Sequence, residues 1–139
     1  MESSQAMRWL VLVVGILGAA GVTVGAFAAH GLEDLLVKQG LEPDEVTKRA
    51  GQCEVAVRYH MMHVLALLAL ACDGSNIPAN RKLFASMFFV GGIALFGGGL
   101  YSMVFLGVMG HWAIVPAGGF CFIVGWLALA SAAFTRQTP

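Results

Sequence analysis

Charge is what this sequence has least of. Lys and Arg total 8, Asp and Glu total 8, and together they make 12% of 139 residues. Ordinary globular chains carry about 25%, so half of the usual solvent-facing charge is missing and a water-exposed surface cannot be covered. That excludes a soluble domain and makes the bilayer the expected solvent. The net charge is zero and there is no basic run or basic-aromatic patch, which removes nucleic acid from the partners. Cysteine is scarce as well: Cys53, Cys72 and Cys121 are an odd count without CxxC spacing. Neither a disulfide framework nor a zinc knuckle can be built from them, and they read as small apolar fillers. No catalytic constellation is recognisable either, so no enzyme activity is expected.

What is abundant is apolar length. Hydrophobic residues make up 58% of the chain, and the mean hydropathy is +0.79. Four stretches reach membrane-spanning length, 9–29, 55–72, 83–109 and 113–134, and they are expected to form one integral-membrane domain over 1–139. The first is about 31 Å long as a helix at 1.5 Å per residue, enough to cross a bilayer. Arg8, the apolar run and Ala26-Phe27-Ala28 imitate a secretory signal with its cleavage site. The full-span length makes a retained span the expectation, with Arg8 and Trp9 as interfacial anchors.

The stretch that organises the rest is Pro43–Cys72. Its first half is charged and its second half nearly all apolar, apart from His60 and His63. Pro43, Asp44 and Glu45 are a helix-start signal, with proline in the first turn and acids at the positive end of the dipole. One unbroken helix is expected, its head in the interface and its tail in hydrocarbon. Before it, residues 30–54 form an amphipathic helical first loop on the membrane surface, punctuated by Gly40 as a C-cap. Asp73–Pro78 is a turn cluster, and Arg81 and Lys82 anchor the third span. That span exceeds what a bilayer needs, so it should tilt or bend, with Gly97-Gly98-Gly99 and Gly91-Gly92 as the weak points. Gly110-His111-Trp112 turns the chain, and Pro116 sits in the first turn of the last span. The expected fold is an all-α four-helix transmembrane bundle. The basic residues tally level on the two sides; four of them lie directly at span ends, which favours termini inside.

Little hydrophobic drive acts between helices in lipid, so close backbone approach at small residues must supply the packing. Gly21 and Gly25 make a GxxxG, and Gly97, Gly98, Gly99, Gly118, Gly119 and Gly125 join them as expected packing positions. Packing within the chain, against a second copy (a homo-oligomer) or against a membrane-protein partner would all use such faces.

Topology places His30, His60, His63 and His111 toward one side of the membrane, with Glu54, Arg58 and Tyr59. At about 100° per residue, His60 and His63 share one face of their helix, while Glu54 and Arg58 form an i,i+4 pair on the opposite side. His63 lies about 12 Å along the helix from Val55 and must face protein or a cavity. His30, Tyr59, His60, His63 and Tyr101 are therefore the candidate polar cluster. Interhelical hydrogen bonding, a proton or small-solute pathway, and metal ligation each use such imidazoles. No carboxylate or thiolate completes a ligand set, so no metal or other cofactor is expected. Glu54–Arg58 reads as an interfacial ion pair. The glycine run is read as a packing surface, with an unwound binding segment as the alternative.

Gly25–Leu32 (GAFAAHGL), Ala56–Ala69 (AVRYHMMHVLALLA), Leu95–Met103 (LFGGGLYSM) and Val115–Trp126 (VPAGGFCFIVGW) resemble the bacterial four-span family known as domain of unknown function 423. Its animal relative is transmembrane protein 256. The likeness runs from Trp9 to about Leu129, in order and spacing. It implies a multipass protein of bacterial plasma (inner) membrane or mitochondrial inner-membrane type, with no established reaction. The matching positions are Gly25, His30, Gly31, Arg58, Tyr59, His63, Tyr101, Pro116, Gly118, Gly119, Gly125 and Trp126. The chain departs from the family pattern at His60, where glutamine is expected, and at Gly98-Gly99, where a glycine-serine pair is expected. The resemblance thus favours His30 and His63 over His60. Together these readings point to a non-enzymatic protein that packs against lipid, a partner or itself. A proton or small-solute carrier using His30 and His63 is the alternative, and a metal-binding membrane protein the third.

Overall fold

The structure, a computed structural model, describes residues 2–73, 77–108, 113–132 and 134. In order it contains α1 (Glu2–His30), α2 (Leu32–Lys38), α3 (Pro43–Cys72), α4 (Ala79–Gly92), a π-helical turn (Ile93–Gly97), α5 (Gly98–Leu106) and α6 (Ile114–Ala132). No strand occurs among the described residues. The stretch from α4 through the π turn to α5 runs on as one rod. Four helices therefore have the length and apolarity to cross a membrane: Gln5–His30, Pro43–Cys72, Ala79–Leu106 and Ile114–Ala132. The architecture is the all-α four-helix membrane bundle that the hydropathy predicts.

The helical first loop is present, with its leucines turned toward protein. In α2, Leu32 and Leu36 are fully buried against Val46 and Cys53 of α3 and Val104 of α5. Burying a leucine contributes about 1.5–3 kcal/mol, so this short helix is a docked plug under the bundle, not a free surface helix. It stops because Gly40 adopts φ 78°; the Leu41 N–H then donates to the Leu36 carbonyl at 3.3 Å and the Gly40 N–H to Val37 at 2.9 Å. Those are the two bonds of a Schellman cap. Pro43 opens α3 in its first turn, and α3 then continues without interruption to Cys72.

The third span does not unwind at its glycines. Between Gly91-Gly92 and Gly97-Gly98-Gly99 the backbone widens into the π turn, in which the Gly98 N–H reaches back to the Ile93 carbonyl. Gly97 and Gly98 keep helical dihedrals (φ −64° and −60°). The expected weak point is thus real, but it is a change of helical pitch, and the unwound alternative is not what forms. The span ends at Leu106, short of the expected 109, because Gly107 takes a left-handed φ of 64°. The expected Gly110–Trp112 turn, His111 included, lies outside the described residues. In α6, Pro116 is the third residue, where no intrahelical acceptor awaits its missing N–H.

Close approach sets the packing. α1 lies antiparallel on α3: a Cβ at Gly25 would sit 3.2 Å from Val57, one at Gly21 2.5 Å from the Met61 sulfur, and one at Gly18 3.6 Å from Val64. α6 runs antiparallel to the third span, whose α4 half packs chiefly on α6 and whose α5 half packs chiefly on α3. A Cβ at Gly118 would enter the Phe96 backbone, with Cα at 2.8 Å; one at Gly125 would meet the Phe89 ring at 2.5 Å; one at Gly99 would meet Val115 at 2.8 Å. Three expected packing glycines are not at such contacts. Gly98 faces open space, and Gly97 and Gly119 have only ordinary van der Waals room around them. Gly92, whose Cβ would strike the Phe122 ring, belongs to the set instead.

Candidate functional site

The side chains of interest stand on α3, because that helix crosses the charged and the apolar zones in one piece. His60 and His63 are both buried, at 4% and 3% exposure, so each must find partners inside the protein or go without. His63 finds two. Its Nδ1 lies 2.8 Å from the Tyr59 carbonyl, and its Nε2 lies 3.2 Å from the indole nitrogen of Trp126. A carbonyl only accepts and an indole N–H only donates. His63 is therefore the neutral tautomer with its proton on Nδ1, and the Nε2 lone pair is taken by Trp126. The ring also stacks on Phe122, centroids 3.5 Å apart and planes at 11°. An imidazole held this way serves as a fastener between α3 and α6.

His60 is held on one side only. Its Nδ1 is 3.1 Å from the Tyr101 hydroxyl on α5. Its Nε2 points toward α1, where it faces the Leu17 backbone beside Gly21 without closing a hydrogen bond of normal geometry. Tyr59 contributes its backbone carbonyl to His63 and its ring to Phe96, at 4.9 Å.

The five residues expected to cluster thus divide into two separate pairs and an outlier. His60 pairs with Tyr101, and His63 with Tyr59. His30, at the end of α1, is exposed and beyond their reach: Gly21 faces His60, and His30 lies nine residues further on, about 13 Å along α1. Among the described residues no group of three His, Cys, Asp or Glu side chains is placed to hold a metal ion.

The Glu54–Arg58 ion pair forms as the spacing predicts and stays exposed on both sides. It stands at the mouth of a cleft of about 630 Å³ between α1 and α3. Gly25, Ala28 and Ala29 of α1 face Ala50, Gly51 and Val57 of α3 across it, and Glu33, Thr47, Glu54 and Arg58 bring polar groups to it. The cleft exists because small residues on both helices leave the space unfilled where α1 ends and α2 turns away. Neither His60 nor His63 is on its wall. A smaller recess of about 210 Å³, lined by His30, Glu33 and Asp34 among others, adjoins it.

Several residues that matter here were not among the expected site residues. Trp126 reads as an interface or packing residue, yet it donates to His63 from 63 positions away. Arg49 pairs with Glu45 at 2.9 Å and reaches the Val104 carbonyl and Gly107, binding the charged half of α3 to the end of α5; its i+4 spacing from Glu45 was the available clue. Lys82, expected as an anchor of the third span, is 6% exposed. Its ammonium bonds the Asp73 carboxylate at 2.9 Å and the Asp73 carbonyl at 2.7 Å, closing the turn between α3 and α4.

The fold and its site define a small polytopic α-helical membrane protein whose buried polar groups join helices together. Residues 24–119 match the family described as "Protein of unknown function (DUF423)". The chain belongs to that family, as the sequence motifs indicate. Curated relatives match the chain over most of their length. The chain is 33% identical over 131 residues to the "UPF0382 membrane protein" of Haemophilus influenzae, covering 94% of this chain and 97% of that one. It is 35% identical over 136 residues to "UPF0382 membrane protein YwdK" of Bacillus subtilis, covering 91% and 97%. With "UPF0382 inner membrane protein YgdD" of Escherichia coli it shares 30% over 120 residues, 86% of this chain and 84% of the relative. No solved structure matches the chain.

Proposed function

We propose that this is a non-enzymatic protein of the bacterial inner membrane that works by binding lipid or a membrane-embedded partner. The relative named for the inner membrane supports the location. The observation that carries the activity is the use made of His63. Both of its nitrogens are engaged, one by a backbone carbonyl and one by Trp126, so it is unavailable as a base, a proton carrier or a metal ligand without breaking the α3–α6 contact. The open feature of the molecule is instead the α1–α3 cleft at the level of the interface. Native mass spectrometry of the protein released from its own membranes in mild detergent tests this. Stoichiometric added mass, lipid or protein, is the expected result, and a bare monomer at every detergent concentration would sink the proposal.

A proton or small-solute carrier is the second reading, and His60 favours it. A buried imidazole bonded to a tyrosine hydroxyl, with its Nε2 held only loosely against the Leu17 backbone, is an ionisable group of the kind that marks polar pathways within membranes. Liposome flux that disappears in His60→Gln would establish that reading over the first.

A further inference from the structure

The cleft between α1 and α3 has a composition that selects among occupants. This inference rests on the lipid-binding reading above and narrows it. Around its mouth stand two carboxylates, Glu33 and Glu54, and one guanidinium, Arg58, all on exposed residues. The walls are small and apolar, with Gly25 and Ala28 on one side and Gly51 and Val57 on the other. Along α3 Arg58 is the last charged residue, and the apolar run, interrupted only by His60 and His63, follows it. The cleft is therefore at the boundary between headgroups and hydrocarbon, and its volume of about 630 Å³ falls within the 300–1,000 Å³ or so of small-molecule sites.

Charge decides the kind of headgroup. Two acids against one base leave the mouth net negative, and Asp34 in the adjoining recess adds to that. An anionic headgroup or a free phosphate is repelled there. A zwitterion with one phosphate and one ammonium matches both signs at once, since guanidinium pairs with phosphate oxygens and carboxylates accept from an ammonium. The ammonium must be a primary one. Quaternary ammonium groups are recognised by aromatic cages, and no aromatic residue lines this cleft. Three N–H donors on a primary amine instead suit two carboxylates, which are acceptors only.

We infer that the cleft seats the headgroup of an aminophospholipid of the phosphatidylethanolamine type, its ammonium on Glu33 and Glu54 and its phosphate on Arg58. The Glu54–Arg58 contact is then an exchangeable pair. Each member keeps its place while the zwitterion inserts between them, which is why neither is buried. The glycerol lies along Val57 and Ala28, and the acyl chains leave along the exposed side of α1.

The test is competitive retention of lipid by the full chain. Protein is equilibrated in mixed micelles with equal amounts of phosphatidylethanolamine, its N-methyl and N,N-dimethyl derivatives, phosphatidylcholine and phosphatidylglycerol, and the retained mass is read by native mass spectrometry. Phosphatidylethanolamine should be enriched about tenfold over phosphatidylcholine, the ratio one charge-assisted hydrogen bond supplies, with the methylated forms graded between. Glu54→Gln and Arg58→Gln should each reduce the enrichment severalfold. The decisive variant is Gly51→Leu. A Cβ at Gly51 meets nothing within 4 Å, so the new side chain fills the cleft, and removing a mid-helix glycine favours the helix. Gly51→Leu should keep or raise thermal stability while abolishing the enrichment. Lipid retained without headgroup preference, or enrichment unchanged in Gly51→Leu, overturns this inference and leaves the broader lipid-binding reading standing. Preference for phosphatidylglycerol overturns it in favour of an anionic lipid. A dimer that Gly51→Leu dissolves overturns it in favour of a second copy in the cleft. Bare protein in every mixture overturns both readings.

Discussion

Trp126→Phe removes the indole N–H that holds His63 across the α3–α6 contact. Phenylalanine keeps an aromatic ring near Phe89, whose centroid is 5.0 Å from that of Trp126, but it cannot donate. The Nε2 atom of His63 then loses its partner while remaining buried at 3% exposure. In water-soluble proteins an orphaned buried acceptor costs about 1–3 kcal/mol. Between membrane helices the measured coupling is smaller, about 0.6 kcal/mol on average with a maximum near 1.7. The acceptor ring here is buried and pinned by Phe122, and at 3.2 Å the bond is of ordinary length, so a coupling within that membrane range is expected. The single variant also loses apolar area, so the bond must be isolated by a double-mutant cycle with His63→Phe, which preserves the stack on Phe122. Reversible unfolding in mixed micelles, followed by helical circular dichroism, gives the four free energies. In parallel, nitrogen-15 spectra of the wild type should show His63 protonated at Nδ1 and bare at Nε2. A coupling indistinguishable from zero, or the opposite tautomer, would refute the description of His63 as a fastener.

Glycine substitutions separate steric fit from helix propensity. Gly118→Ala drives a methyl group into the Phe96 backbone, which cannot step aside, and should destabilise by about 1–3 kcal/mol; Gly98→Ala, opening onto free space, should stabilise by about 0.5–1 kcal/mol. The same sign for both in the unfolding assay would show that the α6 contact is wrongly placed. Lys82→Met strips the buried ammonium from Asp73 and should cost about 1.5–3 kcal/mol, read as a lower unfolding midpoint; no change would mean that the α3–α4 turn closes without it. Arg49→Ala should change global stability by less than about 1 kcal/mol, as partly exposed ion pairs do, yet speed hydrogen exchange in the last turn of α5, where its guanidinium meets Val104. Unaltered exchange there would remove Arg49 from the contact.

The spans, their order and the long uninterrupted α3 could be read from the chain because hydropathy and helix-start chemistry are local. Pro43 with Asp44 and Glu45, the Gly40 stop and the Glu54–Arg58 pair are each settled within one or two turns. The candidate site was legible only in part. Spacing put His60 and His63 on one face and at burial depth, and both are buried. Spacing cannot say that the two imidazoles turn to different neighbours, His60 to α5 and His63 to α6, because that depends on where those helices lie. The family pattern favoured His30 and His63 over His60, whereas by burial His60 stands with His63 and His30 is on the surface. The cleft left no trace in the sequence at all. Gly51, Ala50, Ala28 and Ala29 look like ordinary helix residues until two helices bring them face to face.

The π turn at Ile93–Gly97 acts as a phase shifter within a single rod. A regular helix presents one side to one neighbour along its length, yet this span addresses α6 with its first half and α3 with its second. One surplus residue in the wide turn corresponds to about 100° of rotation, the turn needed to pass from one neighbour to the other. Winding the same residues as a regular α-helix would swing Tyr101 away from His60 and Val104 away from Leu36. The span can be read as two short addresses written on one helix, with the spacing between them carrying as much information as the residues themselves.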